Sequence, residues 1–152
     1  MIEELKTTQG LMPLILSWQE TCNANEFEMD MDIQTFIKSF QELIIDKNSI
    51  LLGAWKNINL TGIMGVTIFS SPIGKDLMAN EHFWYVLPEH RKGIIGIKLL
   101  KKAMDWAKSK GCTHFIGNAS MLASDLHDNI CSIYERIGMK KFETTYIMRI
   151  GE

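Results

Sequence analysis

Apolar residues recur along this chain with two different periods, and the changes of period mark out its elements. From Ile33 the apolar positions are Phe36, Ile37, Phe40, Leu43 and Ile44, three or four apart as on one face of a helix. Asp32 stands just before them as an N-cap. A second helix is predicted over Leu11–Thr21, with Pro13 tolerated near its start. Asn23–Asp30 between them reads as a loop. Ile50–Lys56 and Leu60–Phe69 are rich in β-forming residues, and the short link Asn57–Asn59 predicts a hairpin. Ser70–Asp76, with Pro72 and Gly74, is a further turn, and Leu77–Leu87 continues the meander as a third strand. Ile95–Lys110 returns to the helical period, with Leu99, Leu100, Ala103, Met104 and Ala107 on one side and lysines on the other. Gly111 ends it. His114–Ser120 reads as a strand, Asp125–Ile137 as a helix stopped by Gly138, and Phe142–Ile150 as a last strand. Ile2–Leu5 is a short first strand.

This order predicts an α+β domain over residues 1–152 with a mixed sheet, since no repeat, linker or low-complexity tract divides the chain. Leu77–Ser120 is a strand–helix–strand unit, which predicts a right-handed crossover between parallel strands. The turn over Glu89–Gly96 then lies at the carboxyl end of its strand, where open α/β sheets bind ligands. A basic, glycine-containing turn running into a helix is suited to hold a phosphate chain. The free amides of the first helical turn and the helix dipole both attract an anion.

Composition narrows the partners. The net charge is −2, so no chain-wide basic field points to nucleic acid. The lysines Lys98, Lys101, Lys102, Lys108 and Lys110 read as the solvated face of an amphipathic helix. No apolar run is long enough to span a bilayer, no signal pattern opens the chain, and Glu3 and Glu4 argue against a transit peptide. Cys22, Cys112 and Cys131 are odd in number and widely spaced, which predicts reduced thiols and a cytoplasmic protein. His82, His90, His114 and His127 lack metal-ligand spacing, so no metal is expected.

Val86-Leu87-Pro88-Glu89-His90-Arg91, the glycines Gly93 and Gly96, and Leu99-Leu100 resemble the coenzyme-binding segment of the GNAT superfamily of N-acetyltransferases. Tyr134-Glu135-Arg136-Ile137-Gly138-Met139 is similar to the family's second landmark, an aromatic one turn before a helix-ending glycine. The stretch HFWYV and the tail TTYIMRI are similar to small acetyltransferases carried by bacteriophages. The resemblance implies the GNAT acyl-CoA N-acyltransferase fold, a mixed central sheet of about six to seven strands flanked by four helices. It implies transfer of acetyl from acetyl-CoA to a primary amine of a lysine side chain, a polyamine or an aminosugar, by direct attack in a ternary complex. The alternative is a degenerate module that binds CoA or a protein, phage-borne and acting on a host protein.

Three departures from the family pattern stand out. Ile94 occupies a position usually held by glycine, with Gly93 one place early. His127 stands where an asparagine is common. Lys140–Ile150 has room for one strand where many relatives have two, which implies that a second subunit completes the sheet and that the chain is a homodimer.

By resemblance, the strand before the turn bulges and splays from the next parallel strand. Backbone groups of Trp84, Tyr85 and Val86 then hold the acetyl and pantetheine arms, with Val86 N–H as oxyanion donor. The amides of Arg91, Lys92, Gly93, Ile94, Ile95, Gly96 and Ile97 cradle the pyrophosphate, and Lys98 or the Arg91 side chain meets a phosphate from the side. Tyr134 is the candidate acid for the leaving thiolate, because a phenol of pKa ~10 is near enough to a thiol of ~8.5; its other reading is a core aromatic. Glu81 is the candidate base, raised toward neutrality in an apolar cleft, and its other reading is a solvated strand residue. Strand alternation puts Glu81, Phe83 and Tyr85 on one face and His82 and Trp84 on the other. The acidic loop Glu26, Glu28, Asp30 and Asp32 would attract a cationic acceptor, or is a solvated edge.

Overall fold

The strand and helix stripes meet as one sheet with helices on both faces. The computed structural model describes residues 1–152. In chain order the elements are β1 (Ile2–Glu4), α1 (Met12–Thr21), α2 (Ile33–Ile45), β2 (Ser49–Lys56), β3 (Asn59–Ser70), β4 (Leu77–Val86), α3 (Ile95–Ser109), β5 (His114–Ile116) and α4 (Ser124–Arg136). Short 3-10 turns occupy Ala24–Phe27, Pro88–His90 and Met121–Ala123. The sheet runs β1-β2-β3-β4-β5, antiparallel up to β4 and parallel between β4 and β5, as the helical crossover requires.

Strand alternation divides the interior into two cores. Ile50, Leu52, Met64, Val66 and Ala79 pack under Leu99, Leu100 and Ala103 of α3 and Tyr134 of α4. Leu51, Ile63 and Tyr85 face the other way, onto Leu11 at the start of α1, Leu14 and Ile15 within it, and Phe40 of α2. Asp32 caps α2 by accepting the Thr35 amide at 2.8 Å. Both later helices end in a left-handed glycine, Gly111 at φ +89° and Gly138 at φ +96°. At the end of α4 the Gly138 and Met139 amides fold back onto the carbonyls of Glu135 and Tyr134. That motif is the physical content of the Tyr-x-x-x-Gly signature: it puts Tyr134 on the last turn, facing the sheet. No helix is long and apolar enough to cross a membrane.

Two sequence expectations need correction. The sheet has five strands, fewer than the six to seven expected, because Phe142–Ile150 forms none. Its alternating residues have the composition of a strand, but residues 140–152 take no regular structure and are exposed, with Tyr146 90% and Ile150 91% accessible. A strand needs a partner edge, and the short β5 offers this chain little ladder to extend. β5 itself stops at Ile116, well before the predicted Ser120, because from Asn118 the bonds to β4 pass to a side chain, whose Nδ2 donates to the Glu81 carbonyl at 2.6 Å.

Candidate active site

β4 and β5 pair only through Met78–His114, Ala79–Phe115 and Asn80–Ile116. β4 continues alone to Val86, leaving a wedge-shaped gap. Asn118 sits at its vertex. Its Nδ2 donates to the Glu81 carbonyl at 2.6 Å and to Asn80 Oδ1 at 3.0 Å, and its amide donates to Glu81 Oε2 at 2.9 Å. Leu87 N–H donates to Thr61 on the β3 side at 2.9 Å. Alternation along an antiparallel ladder therefore turns the Trp84 and Val86 amides the other way, into the gap.

Beyond the strand, the amides of Lys92, Gly93, Ile94, Ile95, Gly96 and Ile97 donate to no protein acceptor; the first helical bond runs from Lys98 to Ile94 at 3.0 Å. These six donors lie at the positive end of α3. The Arg91 amide, expected among them, is used within the turn by Pro88 O at 3.3 Å. Its side chain also turns inward. Nε donates to Val86 O at 2.8 Å and the guanidinium lies 5.1 Å from the centre of the Tyr85 ring, so Arg91 braces the end of β4. Lys98 stands exposed on the first turn of α3. The substitution at Ile94 leaves the turn open: its side chain is exposed and its φ of −99° makes no demand for glycine. Gly96 does have a steric reason, since a Cβ there would lie 3.3 Å from Trp84 Cζ2.

Glu81 and Tyr134 come together. The Tyr134 hydroxyl donates to Glu81 Oε2 at 2.9 Å, and the carboxylate is only 4% exposed. Burial pushes the Glu81 carboxyl above its ordinary range, against the bonds from Asn118 and Tyr134 that favour the anion. Burial and the neighbouring carboxylate together push the Tyr134 phenol well above its ordinary value. The solvated-strand reading of Glu81 is thus excluded.

The face assignment from simple alternation is also overturned. A bulge sets Val66 opposite Glu81 and Gly65 opposite Phe83, so His82 is the extra residue. Glu81 therefore faces α4, while Phe83 and Tyr85 point to α1 and α2; Trp84 packs with Tyr134, ring centres 5.8 Å apart. His82 is half-buried beside a cavity of about 500 Å³ that Thr67, Asn80, Asn118 and Glu143 also line, and burial lowers its pKa.

Gly117 and Asn118 were not picked out from the sequence. A Cβ at Gly117 would stand 2.5 Å from Tyr134 Cζ, so only glycine lets the phenol reach Glu81. A glycine inside a strand-like stretch was the available signal. Asn23 ties the acidic loop to the start of α4: its amide donates to Leu122 O at 2.8 Å and its side chain bonds Ser124. Glu26, Glu28 and Asp30 on that loop are exposed. His127, at the position of the expected asparagine, contacts Asp128 at 3.1 Å.

Comparison with known proteins bears on the family and the fold. The profile of the acetyltransferase (GNAT) family matches residues 12–139. A curated relative, the aminoglycoside N(6')-acetyltransferase type 1 of Klebsiella aerogenes, is 39% identical over 41 residues; the match spans 27% of this chain and 27% of that protein. Among solved structures, a transcriptional regulator from Bacillus halodurans C-125 superposes with a TM-score of 0.80 at 19% identity, covering 99% of both chains. The ribosomal-protein-alanine N-acetyltransferase of Brucella melitensis biovar Abortus 2308 gives 0.74 at 20% identity, again over 99% of each chain. At such identities these two likenesses establish the fold.

Proposed function

The chain belongs to the acetyltransferase (GNAT) family, and from that premise we propose that it transfers acetyl from acetyl-CoA to a primary amine by direct attack in a ternary complex. The observation that carries this reading is the run of unpaired amides from Lys92 to Ile97 beside the open edge of β4. A diphosphate supplies the acceptors such amides need, and the α3 dipole adds to the attraction. The gap between β4 and β5 suits a pantetheine arm, and the buried indole N–H of Trp84, which has no protein acceptor, is a further donor for it. Val86 N–H is placed to stabilise the oxyanion of a tetrahedral intermediate. Glu81, raised toward neutrality, accepts the proton that the attacking nitrogen must lose, and Tyr134 supplies one to the departing sulfur.

An acceptor rich in positive charge fits the surroundings. The exposed Glu26, Glu28 and Asp30, and Glu143 at the cavity beside His82, favour a cation. The short match to an aminoglycoside acetyltransferase favours an aminosugar-like amine over a lysine side chain or a polyamine. The exposed tail and the open outer edge of β5 support a homodimer in which each tail serves the other copy.

Thermal denaturation with acetyl-CoA tests the first half. At a hundred times Kd the stabilisation should be about 2.7 kcal/mol, a rise in Tm of roughly 5–10 °C. Thiol release with an aminosugar, a polyamine and a lysine peptide tests the second. Absence of stabilisation, or stabilisation with no thiol released from any amine, would overturn the reading.

A further inference from the structure

We propose that Glu81 and Tyr134 act as a single proton-transfer unit in which the charge on Glu81 decides when Tyr134 gives up its proton. This rests on the acetyl-transfer reading above and extends it. The Tyr134 hydroxyl donates its proton to the carboxylate, at 2.9 Å and buried. While Glu81 is an anion, that charge-assisted bond holds the phenol proton away from any other acceptor. Three parts of the chain converge on this arrangement. β4 supplies Glu81 at the bulge, α4 supplies Tyr134 on its last turn, and the residues after β5 supply the space at Gly117 and a second bond to Oε2 from the Asn118 amide at 2.9 Å. Both bonds fall on Oε2, so Oε1 has no protein partner. The other titratable groups close by are Cys131 on α4 and His82 next along β4.

The chemistry balances around the pair. The amine nitrogen attacks the thioester carbonyl; a C–N bond forms and the carbonyl oxygen becomes an oxyanion. The nitrogen, now positively charged, passes a proton to Oε1, and Glu81 becomes neutral. The phenol is then no longer held by an anion. As the oxyanion collapses and the C–S bond breaks, the sulfur lone pair takes the Tyr134 proton. Rotation of the Glu81 carboxyl about its soft terminal torsion returns a proton to the phenolate. Nitrogen has lost one proton, sulfur has gained one, and the pair is restored. The coupling imposes an order: the leaving group is protonated only after the nucleophile has been deprotonated, which biases the intermediate against reversal.

Two readouts test the proposal. The first needs no substrate. The proton NMR signal of the Tyr134 hydroxyl, identified by its loss in Tyr134→Phe, should move upfield in Glu81→Gln, because its hydrogen bond no longer ends on a charge. The second is a double-mutant cycle on kcat. Glu81→Gln and Tyr134→Phe should each slow turnover by about 10²-fold, and the double variant by about the same factor. Gly117→Ala keeps both groups but moves the ring off Glu81, and it should reproduce the loss with acetyl-CoA binding intact. It also serves if Glu81→Gln fails to fold. An unmoved hydroxyl signal, or losses that multiply to about 10⁴-fold in the double variant, would overturn the coupling. A chain that released no thiol with any amine yet showed the hydroxyl shift would support the coupling and overturn the transfer reading.

Discussion

Glu81 illustrates how much one buried charge can govern. Its folded-state pKa is raised above the ordinary 4.5 by burial. Its protonated form is therefore the one the fold prefers, and the stability it contributes below pH 4.5 is lost as pH rises through the raised value. Replacing it with glutamine removes that loss. Glu81→Gln should therefore raise Tm relative to the unmodified chain at pH 8, and the gain should vanish near pH 4, as followed by circular dichroism. A gain of equal size at both pH values would remove the buried-carboxylate account. The same substitution is expected to slow turnover, so the residue trades stability for chemistry. Glu81 and Tyr134 can each be singled out from the sequence as candidates, but their contact cannot. Strict alternation put Glu81 on the face of Phe83 and Tyr85, and the extra residue at His82 reversed it.

At the scale of elements, the turn between β4 and α3 is proposed to bind through its backbone, whose amides from Lys92 to Ile97 have no protein acceptor. Its side chains are largely bystanders, with Ile94 62% exposed and Arg91 folded under the strand. Gly96 is the exception, because its missing Cβ makes room for Trp84. Calorimetry should therefore find Ile94→Gly binding acetyl-CoA within about threefold of the unmodified chain. Gly96→Val, which pushes Trp84 toward the gap, should bind about tenfold or more weakly, a loss of ~1.4 kcal/mol. Equal affinities for the two variants would show that the turn is indifferent to Trp84. The helix periods, the cap at Asp32 and the two terminating glycines were all readable because each is a local rule. The early end of β5 was not, since it depends on Asn118 reaching across to the Glu81 carbonyl at 2.6 Å.

For the whole molecule, β5 leaves the outer edge of the sheet open. The tail exposes Phe142, Tyr146, Ile147, Met148 and Ile150, and its Glu143 lines one cavity with Ile116 of β5, the last strand of the sheet. Exposed apolar residues with strand periodicity are a pairing surface. Light scattering should find the full chain dimeric and a chain ending at Met139 monomeric; an unchanged mass after truncation would remove the tail from the interface. By itself, the sequence determined the α+β order, the family, the phosphate-suited turn and the two acid–base candidates. These depend on residues near one another in the chain, where period, caps and motif spacing are sufficient. The tertiary structure alone decided which side of β4 each residue faces, how far β5 extends, and that Gly117 and Asn118 bring a carboxylate and a phenol to 2.9 Å. Those outcomes depend on a bulge and on contacts between segments distant in sequence, which no local pattern encodes.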